Sequence, residues 1–231
     1  SFITSTLPKK SRIITILHSI DEISSFSTNH NKVVTKGLLQ CMDKKVVLMV
    51  ADFMPEKRYD LALKVCKKII SKRDDVKFIF LGDGILKEKY TNEINDSGLA
   101  GYFLLPGHVK NVDEYYDIAD ICMLTSINEA FGFVVLEAFL HSLPFIAFES
   151  GGPKEIIKNG YSGILIPKGD INLFSDKLME LLDNHKYKEY LANNAFLEVK
   201  GRFSRSNWKR LMIDSIKDIC LREEDFNGTK R

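Results

Sequence analysis

The sequence has 231 residues, a length that fits one large domain or one and a half small ones. Hydrophobic residues make up 45% and charged residues 28%, a balance that excludes a disordered, collagenous or disulfide-dense chain. Lysine and arginine number 33 against 31 acidic residues, and the resulting net charge of +2 argues against a dedicated nucleic-acid-binding protein.

The cysteines and the apolar stretches predict a cytoplasmic protein. Cys41, Cys66, Cys122 and Cys220 are far apart, and no pair has the spacing of a metal or redox motif. We therefore expect free thiols in a reducing compartment and no bound metal. A membrane-spanning helix needs about 20 apolar residues, and polar side chains interrupt the most apolar stretch, residues 130–148.

Strand-like and helix-like patterns alternate along the chain. Short apolar runs predict strands at residues 12–17, 46–50, 76–81, 102–105, 121–124, 145–148 and 163–166. The pattern predicts helices at residues 60–72, 85–97, 112–119, 133–141, 155–158 and from 171 to about 221, with breaks at 183–186 and 200–204. This alternation predicts an α/β fold, a Rossmann-like parallel sheet with helices on both faces.

Parallel sheets bind ligands beyond the carboxyl ends of their strands, so the loops after the strands are the candidate site. The loop after residues 46–50 places Lys57 and Arg58 just before a helix. There an ammonium group and free N–H groups both attract an anion such as phosphate. Taken alone, such a pair is more often a solvated part of the surface.

Glycines mark three further loops. Gly82 and Gly84 allow a tight turn and close approach of a ligand, although many ordinary turns look like this. Gly107 permits the same after the next strand, and His108 beside it offers a ring that could stack on a ligand. A glycine pair followed by proline at residues 151–153 is either a phosphate-facing loop or an ordinary connection from strand to helix.

The loop after residues 121–124 is the most informative. Glu129 lies beyond the end of a strand, and Glu137 follows in a helix that is otherwise apolar on every face. A lone carboxylate is rarely buried unless it is paired, so an acid there is either a structural hydrogen-bond acceptor or a ligand contact. Gly132 between them marks a helix N-terminus that offers N–H groups to an anion. This arrangement favours a functional role.

Together these loops resemble the retaining family-4 (group 1) glycosyltransferases of the GT-B fold, in their carboxy-terminal, donor-binding domain. The matching strings are Pro55-Glu56-Lys57, Leu81-Gly82-Asp83-Gly84, Pro106-Gly107-His108-Val109, Ser126–Gly132, Leu136-Glu137-Ala138 and Gly151–Ile156. Each string is common by itself, but their order and spacing are specific. The resemblance covers about residues 45 to 220 and implies one half of a GT-B fold.

The resemblance also implies roles. Glu129 would contact the donor sugar near the reacting carbon, Lys57 would neutralise the diphosphate leaving group, and Glu137 would bind the ribose hydroxyls. The backbone N–H groups of Phe131, Gly132 and Phe133 would hold the sugar hydroxyls and the distal phosphate. The base would be flanked by Gly107, His108 and Val109. The resemblance implies that the donor would be a nucleoside diphosphate sugar, and we expect no cofactor and no metal.

Two features depart from the family pattern. Ala51 and Asp52 stand where the family has Gly-Arg, and Asp52 opposes phosphate binding unless Arg58 compensates. The chain is also much shorter than the family's members. We expect residues 1–45 to be a linker and the remnant of a preceding domain, 46–200 the nucleotide-sugar-binding domain, and 201–231 a crossover helix and tail.

The resemblance thus implies a glycosyltransferase that moves a sugar, with retention of configuration, from a nucleoside diphosphate sugar to a glycan or lipid-linked acceptor. Since the chain begins at Ser1 and lacks an acceptor half, we expect a fragment or a separate chain that supplies that half. Two alternatives stay open: a nucleotide-sugar-binding module that is inactive alone, and a sugar phosphorylase of similar fold. A lipid-linked acceptor would also make peripheral contact with the inner membrane face useful.

Overall fold

A computed structural model of the protein describes residues 16–20, 35–37, 39 and 41–228, with side chains up to residue 218. The strand predicted at residues 12–17 lies mainly outside these residues, and its last two positions are not in a strand. Of these residues, those from 35 to 200 form one compact unit, and residues 16–20 with those from 201 to 228 form a second.

Six parallel strands form one sheet in the order β3-β2-β1-β4-β5-β6. The strands are β1 (Lys45–Val50), β2 (Val76–Leu81), β3 (Phe103–Gly107), β4 (Ile121–Leu124), β5 (Phe145–Phe148) and β6 (Ile164–Ile166). Every residue of β4, β5 and β6 is buried, as expected of apolar runs in a sheet that is covered on both faces. The predicted bounds of β2, β4 and β5 are confirmed.

A helix connects each strand to the next, and further helices follow β6. The helices are α1 (Tyr59–Ile70), α2 (Lys87–Asp96), α3 (Asp113–Ile118), α4 (Phe133–Leu140), α5 (Gly151–Ile156), α6 (Ile171–Asp183), α7 (His185–Arg202) and α8 (Arg205–Gly228). The prediction for α5 is wrong in its bounds, because the helix begins at Gly151. Pro153 lies in its first turn, where the missing N–H of proline breaks no intrahelical hydrogen bond.

The strand order reverses between β1 and β4, the two neighbours at the centre of the sheet. Because crossovers between parallel strands are right-handed, the connections of the two halves cover opposite faces of the sheet. The loops after β1 and β4 therefore diverge and leave a crevice between them. This is the place where open parallel sheets bind their ligands.

The second unit joins the segment before the sheet to the end of the chain. Ile20 pairs with Ser204 in a short parallel bridge, and its N–H donates to the Phe203 carbonyl at 3.0 Å. Ile213 and Ile216 on α8 are 51% and 54% exposed. The assignment of residues 201–231 as a crossover helix and tail stays a prediction.

A cluster of charges ties the amino ends of β1 and β2 to the carboxyl end of α6. Arg73 makes two hydrogen bonds to Asp75, of 2.6 and 2.8 Å, and a third to Asp183 at 2.8 Å. Lys45 donates to the Leu182 carbonyl at 2.8 Å. The hydrogen bonds from Arg73 lower the pKa of Asp75 from 3.8 to about 2.

The lowered pKa predicts a pH-dependent contribution to stability. An acid whose pKa is depressed on folding stabilises the fold above its unfolded pKa and loses that effect as the pH falls through the folded value. Since Asp75 is 42% exposed and therefore screened, we expect Asp75→Asn to lower the free energy of unfolding by only about 0.5–1 kcal/mol at pH 6. Urea unfolding should show this difference shrinking by pH 3. Asp74→Asn, at the exposed neighbouring residue, is the control variant. If the stability difference between Asp75→Asn and the unaltered chain grows as the pH falls, this role of the Asp75 carboxylate is contradicted.

Candidate active site

The end of β4 fixes the loop that carries Lys57. Lys57 closes a single 3-10 turn, Pro55–Lys57, and Arg58 follows in the left-handed region with φ of 54°. The fully buried Thr125, just after β4, directs its hydroxyl at the carbonyl oxygens of Lys57, 2.9 Å away, and Arg58, 3.2 Å away. The loop after β1 is therefore held in place by the strand that carries the other half of the site.

A buried aromatic pair holds the beginning of the same loop. Phe53 and Tyr59 stack with ring centroids 3.9 Å apart, and both rings are buried. The Tyr59 hydroxyl donates to the Ala51 carbonyl at 2.6 Å. Burial raises the pKa of Tyr59, so the hydroxyl keeps its proton and remains a donor.

Lys57 and Glu129 form an ion pair at the centre of the site. Lys57 Nζ lies 2.7 Å from Glu129 Oε2, and the two side chains are only 22% and 13% exposed. Charges shielded from water to this extent are stabilised mainly by each other, since each has lost much of its hydration. The cation predicted to face a diphosphate and the acid predicted to face a sugar therefore meet directly.

The glycine pair at residues 151 and 152 supports the loop of Glu129 from below. The Gly152 N–H donates to the Glu129 carbonyl at 3.0 Å. A Cβ atom on Gly152 would lie 1.8 Å from the Phe131 carbonyl oxygen, and one on Gly151 would lie 2.9 Å from the Glu129 carbonyl oxygen. Sequence reasoning missed this role, because a glycine pair before a proline suits a phosphate-facing loop equally well.

The first turn of α4 opens towards the same space. Gly132 caps the helix with φ of 92°, a conformation that favours glycine, and no side chain caps the helix there. The N–H groups of a first helical turn have no intrahelical acceptor and carry partial positive charge. The rings of Phe131 and Phe133 meet edge to face, with centroids 5.0 Å apart.

Close backbone contacts bring the loops after β2 and β3 to this edge. A Cβ atom on Gly82 would lie 2.1 Å from the Ala51 carbonyl oxygen, and the Gly82 N–H donates to the Gly107 carbonyl at 3.1 Å. Gly84 is packed in the same way, because a Cβ atom there would lie 2.8 Å from the Phe53 carbonyl oxygen. The lack of a side chain at these two glycines therefore lets the loop after β2 pack closely against the loop after β1.

A cleft of about 510 Å³ lies among these loops. Its lining residues are Val50, Ala51, Asp52, Lys57, Leu81, Gly82, Gly107, His108, Val109, Val112, Glu129, Ala130, Phe131, Gly132, Phe133 and Val134. Most of the residues that the sequence predicts for the site are thus brought together. Arg58, Gly84 and Glu137 are outside this lining.

Arg58, the residue that could compensate Asp52, pairs with a different acid. The Arg58 guanidinium makes two hydrogen bonds of 2.8 Å to Asp60, and these bonds raise the pKa of Arg58. Asp52 lines the cleft with its carboxylate 3.9 Å from His108 Nε2, and both of these side chains are well exposed.

Glu137 lies one helical turn beyond the lining residue Phe133, on the same face of α4. Its Oε2 accepts a hydrogen bond of 2.8 Å from the hydroxyl of Tyr116, which is buried. Burial, with Glu137 nearby, raises the pKa of Tyr116, and the tyrosine therefore stays protonated as the donor.

The fold and the cleft define a Rossmann-like α/β domain with a crevice at the point where its strand order reverses. Residues 35–197 match the family described as glycosyl transferases group 1. The chain belongs to this family, and the fold is the GT-B Rossmann-like fold that the sequence predicts.

Similar proteins agree with the family assignment. The chain is 30% identical over 166 residues to 2-deoxystreptamine N-acetyl-D-glucosaminyltransferase of Niallia circulans, covering 71% of the chain and 43% of that protein. It is 27% identical over 170 residues to poly(ribitol-phosphate) alpha-N-acetylglucosaminyltransferase of Staphylococcus aureus, covering 73% and 34%. The chain thus spans less than half the length of these relatives.

Two solved structures share the fold. HepE of Anabaena in complex with UDP superposes with a TM-score of 0.76 at 20% identity, covering 83% of this chain and 54% of HepE. The C-terminal domain of the group 1 glycosyl transferase LpcC of Francisella tularensis gives 0.70 at 19% identity, covering 78% of this chain and 96% of that domain. Among the helices that the structure describes, none combines the length and the apolar character of a membrane-spanning segment.

Because the backbone is closely packed under the Glu129 loop, we expect one methyl group added at Gly152 to destabilise the fold strongly. Gly152→Ala should lower the free energy of unfolding by about 1–3 kcal/mol or more, because the new Cβ atom overlaps the Phe131 carbonyl. Gly101→Ala is the matched control, since a Cβ atom there meets nothing within 4 Å. It should change stability by about 0.5 kcal/mol or less. Equal effects of the two substitutions in urea unfolding would contradict the packing described here.

Proposed function

We propose that this chain is the donor-binding half of a retaining glycosyltransferase. It would bind a nucleoside diphosphate sugar, whose sugar is transferred to a glycan or lipid-linked acceptor. The observation that supports the proposal is the meeting of Lys57, Glu129 and the first turn of α4 in one cleft. These groups offer positive charge for a diphosphate beside an acid for a sugar.

The chemistry of the transfer fits this arrangement. Breaking the bond between the sugar and the diphosphate builds negative charge on the leaving group. A fixed ammonium group and a helix N-terminus stabilise such charge without having to reorganise. Lys57 is the only lysine or arginine among the described residues that line the cleft, so it supplies most of the fixed positive charge. We propose that this stabilisation proceeds without a cofactor or a metal.

Asp52 adds an opposing charge, and Arg58 is engaged by Asp60. The diphosphate would therefore depend on Lys57 more strongly than in a site with a second fixed cation. Glu129 would contact the sugar, and the backbone at Phe131–Phe133 would hold the sugar hydroxyls and the distal phosphate. The base would lie against Gly107, His108 and Val109.

UDP is the first nucleotide to test, since HepE was solved with UDP and also with UDP-glucose. The acceptor, the retention of configuration and peripheral contact with a membrane are proposals for the whole protein, carried by the family resemblance. A nucleotide-sugar-binding module that needs a partner chain is the alternative. A product that depends on an added acceptor separates the two, and the anomeric configuration of that product tests retention.

The central role of Lys57 predicts a selective loss of affinity. Calorimetric titration of UDP, GDP and ADP should detect binding of one nucleotide, and Lys57→Met should weaken it about tenfold or more, since a charge-assisted hydrogen bond is lost. Lys64→Met is the control, because Lys64 is an exposed lysine on α1 outside the cleft.

If Lys64→Met weakens nucleotide binding as much as Lys57→Met, the net charge of the chain explains the loss. That result would contradict a specific role for Lys57. If none of the three nucleotides binds the unaltered chain, the proposed function is wrong.

A further inference from the structure

The acid Glu137 is held by a group of side chains that the proposed function does not use. The Tyr116 hydroxyl donates to Glu137 Oε2 at 2.8 Å, and Tyr116 is only 2% exposed. Within the part of the chain that the structure describes, no hydrogen bond is made to the other carboxylate oxygen, Oε1. One oxygen is thus fixed by a buried donor, and the second is left for a further partner.

The Tyr116 ring is itself held from behind by His141, the residue that follows α4. The two rings stack with centroids 5.0 Å apart and planes inclined by 21°. His141 Nδ1 lies 2.9 Å from Asp117 Oδ1, and Nε2 lies 3.1 Å from Asp113 Oδ1. Whichever nitrogen carries a proton can therefore donate to a carboxylate on α3.

These contacts fasten α3 to α4 at two points, Tyr116 to Glu137 and His141 to the two aspartates. Both helices also reach the cleft. Val112, one turn before Tyr116, and Phe133, one turn before Glu137, line its wall. The fastened pair of helices therefore sets where the Glu137 carboxylate stands relative to a nucleotide in the cleft.

We propose that Tyr116 is a positioning residue for the donor nucleotide: it fixes Glu137 so that Oε1 accepts hydrogen bonds from the ribose hydroxyls. The proposal rests on the proposed function and adds to it a residue on another helix. A carboxylate that is free to rotate would divide its time among several orientations. One that is held by a buried hydroxyl presents its second oxygen in one direction, and less ordering is then needed when the ribose binds.

The test compares each nucleotide with a form that lacks the ribose hydroxyls. UDP, GDP and ADP and their 2′,3′-dideoxy forms are titrated calorimetrically into the 231-residue chain, Tyr116→Phe, Glu137→Gln and Tyr90→Phe. We expect the unaltered chain to prefer the ribonucleotide by about tenfold, because hydrogen bonds to a charged acceptor are strong. In Tyr116→Phe this preference should fall by about threefold or more, while the dideoxy form binds as before.

The two remaining variants make the result specific. Glu137→Gln should reduce the preference further, and Tyr90→Phe, which alters a buried tyrosine on α2, should leave it unchanged. An unchanged ratio in Tyr116→Phe, or an equal loss of affinity for both forms, would overturn the positioning role. In either case the unaltered chain would still bind a nucleotide. If the proposed function itself is wrong, neither the unaltered chain nor any variant would bind one.

Discussion

The ion pair between Lys57 and Glu129 joins two loops that are 72 residues apart in the chain, and the arrangement of the site depends on it. Two opposite charges lie in a cleft that shields both from water, so each is the main stabilising partner of the other. An anion that binds Lys57 in the cleft must either share its ammonium group with Glu129 or displace the Glu129 carboxylate from it. Binding of an anion there would therefore change the partners of this one ammonium group.

The fold makes this meeting possible because the loops after β1 and β4 are neighbours at the centre of the sheet. Their side chains would not converge without close backbone approach. Thr125 holds the Lys57 loop from the end of β4, and Gly152 leaves room for the backbone under Glu129. Two of the glycines near the cleft, Gly82 and Gly84, act in the same way between loops. The cleft is thus built largely by backbone packing.

Apolar runs and loop motifs were enough to predict the sheet, the candidate cleft and the family. The strands Val76–Leu81 and Ile121–Leu124 follow from short apolar runs, of which only the first contains a charged residue, Lys77. Partners of charged and polar side chains were not predictable, because they depend on distances between elements. Nothing in the sequence pairs Arg58 with Asp60 in preference to Asp52, and nothing links Tyr116 on one helix to Glu137 on the next.

The exchange of partners around Lys57 can be measured by a double-mutant cycle on nucleotide affinity. Calorimetry would compare the unaltered chain, Glu129→Gln, Lys57→Met and the double variant, each titrated with UDP, GDP and ADP. If the anion competes with Glu129 for Lys57, Glu129→Gln removes the competitor and tightens nucleotide binding where Lys57 is present, by about fivefold or about 1 kcal/mol. In the Lys57→Met background the same substitution should change little. An equal effect in both backgrounds, or weaker binding by Glu129→Gln, would contradict the account.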